Sequence, residues 1–311
     1  MTSERLPWIS EDPASQKLFE LAQRVAPSGN TVLIIGESGT GKDHLARLIH
    51  ELSPRRDTPY LKIDCSILPP PLVESELFGH ERGALPGAAE RKLGRFELGG
   101  KGTVVLDEVA SLTSTVQAKL LRMMQERKFE RLGGKEAVGM DARVIALTSV
   151  NLPNNVRDGR FREDLYHRFE VSKIWVAPLR ERRADIVPLA THLLEGLQTI
   201  HGTPRLKLSE ATKTALEAYR WPGNARELRD ALEHALLLAR GEFLEPEHFP
   251  VAILASHPSQ DQTRLRSLEE IEREAIEVTL KAMHNQIGRS AKILGISRKT
   301  LLEKRKKYGW T

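Results

Sequence analysis

Between the apolar run Thr31-Val-Leu-Ile-Ile35 and the amphipathic stretch 43–53 lies Gly36-Glu-Ser-Gly-Thr-Gly-Lys42, and this segment restricts the folds open to the chain more than any other. The spacing G-x-x-x-x-G-K predicts a buried strand, a tight loop and a helix in succession. Glycine lets successive backbone N–H groups converge on phosphate oxygens, the helix N-terminus adds partial positive charge, and Lys42 reaches the outermost phosphates. Gly36, Glu37, Ser38, Gly39, Thr40, Gly41, Lys42 and Asp43 are therefore the expected nucleotide-binding residues. Asp43 stands where a hydroxyl commonly follows the lysine, so a magnesium ion needs another ligand or a water there.

A site of this kind needs a second strand that ends in acid. Val104-Val-Leu-Asp107-Glu108 supplies it. Asp107 is placed to hold Mg2+ through water, and Glu108 to orient or deprotonate the attacking water. An Asp-Glu pair after an apolar run is by itself more often a surface turn; its place downstream of a phosphate loop gives it meaning. From Thr31 to about Val176, β-branched runs at Thr31–Ile35, Thr103–Leu106 and Arg143–Thr148 alternate with helical patterns, which predicts an α/β fold with a parallel sheet. Beyond Pro178 the apolar spacing turns helical, in Ile186–Leu197 and Arg226–Leu238, and an all-α lid is expected. The division read from these changes is 1–177 for the nucleotide-binding part, 178–250 for the lid, 251–265 for a polar linker and 266–311 for a terminal helical module.

With 311 residues, 40% apolar and 29% charged, the chain reads as globular and multidomain rather than collagen-like, disordered or membrane-spanning. The apolar runs are too short to cross a bilayer, the N-terminus lacks a signal-peptide pattern, and the single Cys65 excludes an internal disulfide. A cytoplasmic location is expected. The net charge of +5 hides an asymmetry: residues 281–311 carry nine basic side chains against Glu303 alone, +8, which leaves −3 for the rest.

Gly288–Leu294, Gly295-Ile-Ser297 and Arg298–Tyr308 read as helix, tight turn and helix, with Ser297 capping the second. Arg298, Lys299 and Thr300 fall on its first turn, where a recognition helix meets base edges; Lys304, Arg305, Lys306 and Lys307 fall where it meets phosphates. A helical hairpin with solvated lysines is the plainer alternative. Ser267 followed by Glu270 marks the start of a further helix to about Met283, expected to pair with its twin in a dimer on an inverted-repeat site. Cys65, Trp175 and Trp221 read as core residues.

Five further stretches stand in order along the chain with the phosphate loop: Glu74-Ser-Glu-Leu-Phe-Gly-His80, Gln117-Ala-Lys-Leu-Leu121, Gly159-Arg-Phe-Arg-Glu-Asp-Leu-Tyr166, Trp221-Pro-Gly-Asn-Ala-Arg-Glu-Leu228 and the terminal helical pair. With them the chain, from about Asp12 to Gly309, resembles the AAA+ bacterial enhancer-binding proteins, the sigma-54-dependent transcriptional activators. The resemblance implies an ATPase that works as a hexameric ring with ATP and Mg2+. Arg162 and Arg168 match the arginine fingers that reach into a neighbour's nucleotide site, and Arg226 matches the lid sensor of nucleotide state. Ser149 stands at the position of the first-sensor asparagine, and Asp64 at that of an asparagine that switches the catalytic glutamate. The terminal module resembles a Fis-type helix-turn-helix, so the implied partners are double-stranded DNA and RNA polymerase carrying sigma-54. The similarity begins almost at Met1, and no receiver domain is expected ahead of the motor; control is expected from a regulatory protein in trans, from expression level or from ring assembly.

Three features depart from the family's pattern. Its signature loop Gly-Ala-Phe-Thr-Gly-Ala engages the sigma factor; here it reads Gly83-Ala84-Leu85-Pro86-Gly87-Ala88. Leu85 keeps an apolar tip without the ring, and Pro86 removes a hydroxyl and a backbone donor. Ser149 has less reach than asparagine, and Asp64 brings a charge that repels Glu108 instead of a donor. Two readings follow: an ATP-driven activator that remodels sigma-54 polymerase, and a nucleotide-responsive DNA-binding regulator or repressor that does not engage sigma-54. A third, a general AAA+ remodeller, leaves the terminal DNA-binding motif unexplained.

Overall fold

Short strands apolar on both faces set the architecture of the larger part of the chain. The computed structural model describes residues 8–203, 205–250 and 286–308, with single positions or pairs between 253 and 283, and the chain divides into two compact units, Met1–His257 and Pro258–Thr311. In the first unit β1 (Val32–Ile35), β2 (Tyr60–Asp64), β3 (Thr103–Asp107), β4 (Arg143–Thr148) and β5 (Lys173–Trp175) form a parallel sheet in the order β2-β3-β4-β1-β5. Strands β1 and β4 are buried at every position, as strands covered on both faces must be.

Alternate strand residues feed two cores. Leu33, Val104, Leu106, Val144 and Ala146 face α3 (Pro70–Phe78), α4 (Ser114–Glu126) and α5 (Glu163–Glu170). Val32, Ile34, Val105, Ile145 and Leu147 face α1 (Pro13–Val25) and α2 (Lys42–Glu51). Each fully buried Val, Leu or Ile contributes about 1.5–3 kcal/mol, and a one-residue slip exchanges the faces, so the register is held firmly. That register sets Asp64 beside Asp107 and Thr148 beside Ile35. The carboxyl ends of β1 to β4 therefore open together, where parallel α/β sheets bind ligands.

Arg143 places a buried charge inside the sheet. Its buried guanidinium donates to the carbonyls of Val25, Ala26 and Asn30, and burial pulls its pKa down to about 10. Cys65 is buried as expected, and burial pushes its thiol up to about 12. Trp175 corrects the expectation of a core residue: Ile174 and Val176 point inward along the edge strand β5, and the ring between them is 56% exposed.

Helices α6 (Ile186–His201), α7 (Glu210–Ala218) and α8 (Asn224–Leu238) build a separate core around Trp221, whose indole N–H donates to the Leu216 carbonyl. In the second unit α9 (Ile287–Ile293) and α10 (Arg298–Lys307) close on Ile276, Leu280, Ala291 and Leu301. The Ser297 hydroxyl caps α10 by accepting from the Thr300 N–H at 3.0 Å. The capping pair Ser267 and Glu270 lies outside the described residues. Among those described, no helix is long and apolar enough to cross a membrane.

Candidate active site and nucleic-acid interface

The phosphate loop joins β1 to α2, and two of its glycines have direct steric reasons. A Cβ at Gly36 would lie 2.8 Å from the Val176 carbonyl oxygen; at Gly39, where φ is +77°, it would lie 2.2 Å from that of Gly223. Lys42 is buried at the start of α2. Its Nζ donates to the carbonyls of Gly36 (2.8 Å) and Glu37 (3.0 Å) and lies 4.0 Å from Glu108 Oε1. Burial lowers its pKa, against the opposing pull of Glu108, Asp107 and Asp43. Beside the loop a cavity of about 230 Å³ is lined by the apolar Trp8, Ile9, Leu189 and Leu193 and by the polar His44, Arg182 and Asp185.

Lys62, which sequence reasoning missed, sits between two of the expected acids. Its ammonium is 2.5 Å from Asp43 Oδ2 and 2.8 Å from Asp107 Oδ2. Burial works against its charge, but the hydrogen bonds to both carboxylates prevail and its pKa is raised. The available signal was a lone lysine inside an apolar strand two residues before Asp64.

Glu108 follows β3 in a left-handed backbone conformation, φ +49°. Its Oε2 accepts from both the N–H (3.1 Å) and the hydroxyl (2.9 Å) of Ser149, so the short serine does reach the glutamate. Asp64 does not. Its Oδ1 accepts from the Ser66 N–H (2.9 Å) and hydroxyl (2.6 Å). Burial tends to raise the Asp64 pKa, but these bonds bring it below the ordinary value.

The lid grips the loop at four successive residues. Arg180 forms a two-pronged pair with Glu37 at 2.5 and 2.7 Å. Asn224 donates to the Ser38 carbonyl at 3.0 Å, the Ala225 N–H to the Gly39 carbonyl at 3.0 Å, and Arg182 to the Thr40 carbonyl at 2.6 Å. Arg226 donates to Ser38 Oγ at 2.8 Å. The Arg180 bonds hold the Glu37 carboxyl below its usual pKa. Of these lid groups only Arg226 was singled out from sequence, because the others carry no spacing of their own.

Arg162 precedes α5 and pairs with Asp164 at 2.7 and 3.0 Å, and Arg168 is exposed on the same helix. Among the described residues no hydrogen bond or ion pair joins either to the phosphate loop of its own chain. The 83–88 loop closes on itself through Gly83 N–H to the Ala88 carbonyl (2.8 Å) and Ala88 N–H to the Leu85 carbonyl (2.9 Å), bonds that make no demand on position 86. Leu85 is half-buried and Pro86 exposed.

On α10, Arg298, Lys299, Lys306 and Lys307 are exposed, and Thr300 is half-buried, its hydroxyl 2.7 Å from that of Ser297. Lys304 pairs with Glu272 at 2.6 Å. Arg305 is half-buried, its Nε without a hydrogen-bond partner among the described residues.

A parallel sheet in this order, a phosphate loop after β1, an acid pair at the end of β3 and a helical lid on the loop together define a P-loop ATPase of the AAA+ class. The chain belongs to the sigma-54-dependent transcriptional activators: residues 8–175 match the sigma-54 interaction domain, 180–266 the AAA+ ATPase lid domain and 267–308 the Fis family of bacterial regulatory proteins. It is 38% identical to the transcriptional regulatory protein FlbD of Caulobacter vibrioides over 99% of this chain and 71% of that one. It is 41% identical to the sigma54-dependent transcriptional regulator SfnR of Pseudomonas fluorescens over 90% of this chain and 78% of that one. The crystal structure of NtrX from Brucella abortus in complex with ADP is similar over 98% of this chain and 70% of that one, with a TM-score of 0.76 and 32% identity.

Proposed function

We propose that the chain binds double-stranded DNA through α10, hydrolyses Mg2+-ATP at the carboxyl ends of β1 and β3, and, as a homo-oligomeric ring in the cytoplasm, uses the hydrolysis to remodel RNA polymerase carrying sigma-54. The observation that carries the hydrolytic reading is the convergence of Lys42, Asp107 and Glu108 at one loop, with Glu108 held by Ser149 and Lys42 within reach of both the loop and Glu108. Lys42 and the loop N–H groups bind the phosphates, Glu108 takes the proton of the attacking water, and Arg226 reports nucleotide state to the lid. Arg162 and Arg168 serve the neighbouring subunit's site, which requires Arg162 to exchange Asp164 for a phosphate. Magnesium fits the acid at the end of β3: Asp107 offers a hard oxygen that already holds a cation, the Lys62 ammonium, at 2.8 Å. When bound, the ion supplies charge neutralisation at the phosphates.

Contact with sigma-54 falls to Gly83, Ala84, Leu85, Pro86, Gly87 and Ala88. The exposed Pro86 favours a second reading, in which the regulator binds DNA and nucleotide without engaging sigma-54. Open-complex formation in vitro separates the two. With DNA carrying the chain's site and sigma-54 polymerase, ATP-dependent promoter melting is expected; hydrolysis without melting would replace the activator with the non-engaging regulator.

A further inference from the structure

We propose that Ser149 is the positioning residue for the catalytic carboxylate of Glu108, and that residue 64 has no part in that task in this chain. The inference rests on the reading of the chain as an ATPase and deepens it. Glu108 leaves β3 with a left-handed backbone that a glutamate seldom adopts, a conformation that persists where the surroundings fix it and that clusters at functional sites. Ser149 supplies two donors to the same oxygen, its N–H at 3.1 Å and its hydroxyl at 2.9 Å, while Oε1 faces Lys42 at 4.0 Å. The carboxylate is thereby held between the end of β4 and the phosphate loop.

The location of Ser149 adds a second reason. Strand β4 lies between β3 and β1, so its end is the shortest route from Glu108 to the phosphate loop. The carbonyl of Thr148 accepts from the N–H of Gly36 at 3.2 Å, and the next residue holds Glu108. One dipeptide thus joins the first residue of the phosphate loop to the base. Asp64 is the rival by position, since it stands beside Asp107 in the sheet. It is occupied by Ser66, and an ionised carboxylate has no hydrogen to donate to another. Lys62 pairs with Asp107 and Asp43, which leaves the orientation of Glu108 to Ser149 and Lys42.

The test uses the full chain, steady-state ATP hydrolysis and equilibrium binding of a fluorescent ATP analogue, for the unaltered protein, Ser149→Ala and Asp64→Ala. Loss of the hydroxyl leaves the N–H in place, so Ser149→Ala is expected to lower kcat about tenfold, with KM and analogue affinity within about twofold. Asp64→Ala is expected to keep kcat within about threefold. An unchanged kcat in Ser149→Ala, a loss that appears in KM and analogue affinity instead, or an equal loss in Asp64→Ala would overturn the assignment while leaving the ATPase reading intact. Absence of hydrolysis by the unaltered chain would overturn the ATPase reading and the assignment with it.

Discussion

Trp221 carries the largest single packing contribution in the lid. Its ring is fully buried, stands edge-on to Tyr219 at 4.9 Å and donates to the Leu216 carbonyl at 2.8 Å. Trp221→Ala leaves a void and an orphaned carbonyl, and is expected to destabilise the lid by about 3–5 kcal/mol in urea unfolding followed by circular dichroism. The same residue was read as core from the sequence, because a tryptophan between two helical stretches has a large ring to bury. Trp175 was misread as core, because alternation along an edge strand decides its side and neighbouring residues do not. The phosphate loop and the Asp107-Glu108 pair were legible because their meaning lies in local spacing; Lys62 was missed, and Ser149 was placed by resemblance alone. Lys62 and Ser149 acquire theirs from partners on other strands, brought close only by the sheet order.

Among elements, the junction of α8 with the phosphate loop was half legible. The helix and Arg226 could be read from apolar spacing and resemblance, but the Glu37–Arg180 pair depends on where the chain returns after β5. The Glu37 carboxyl has a folded-state pKa below its ordinary 4.5, so the pair's contribution is complete above that value and is lost as pH falls through the lowered one. Both partners are more than a third exposed, so solvent screening keeps the contribution small. Glu37→Gln is expected to remove this component: thermal unfolding of the lid in the unaltered chain loses stability below pH 4.5 more steeply than in the variant. The same steepness in both would show that other carboxyls carry the acid response.

At the scale of the whole molecule, the basic end and the acidic remainder predict a DNA affinity governed by salt. The exposed Lys306 is expected to make a phosphate contact, so Lys306→Gln should reduce the slope of log K against log salt by about 1. Lys304, held by Glu272, should change it far less. Fluorescence anisotropy with duplex DNA across a salt series measures both, and equal slopes for the two variants would place Lys304 on the DNA as well. The four-point grip of the lid on residues 37–40 carries a consequence of another kind. It fastens the lid to the binding apparatus, so any preference that ATP gives to one lid angle must be returned in equal measure. A subunit or target that imposes that angle tightens ATP binding by the same factor, about 1.4 kcal/mol for a tenfold preference. The lid thus serves as a gauge as well as a lever: mechanical load on it is recorded as occupancy of the loop.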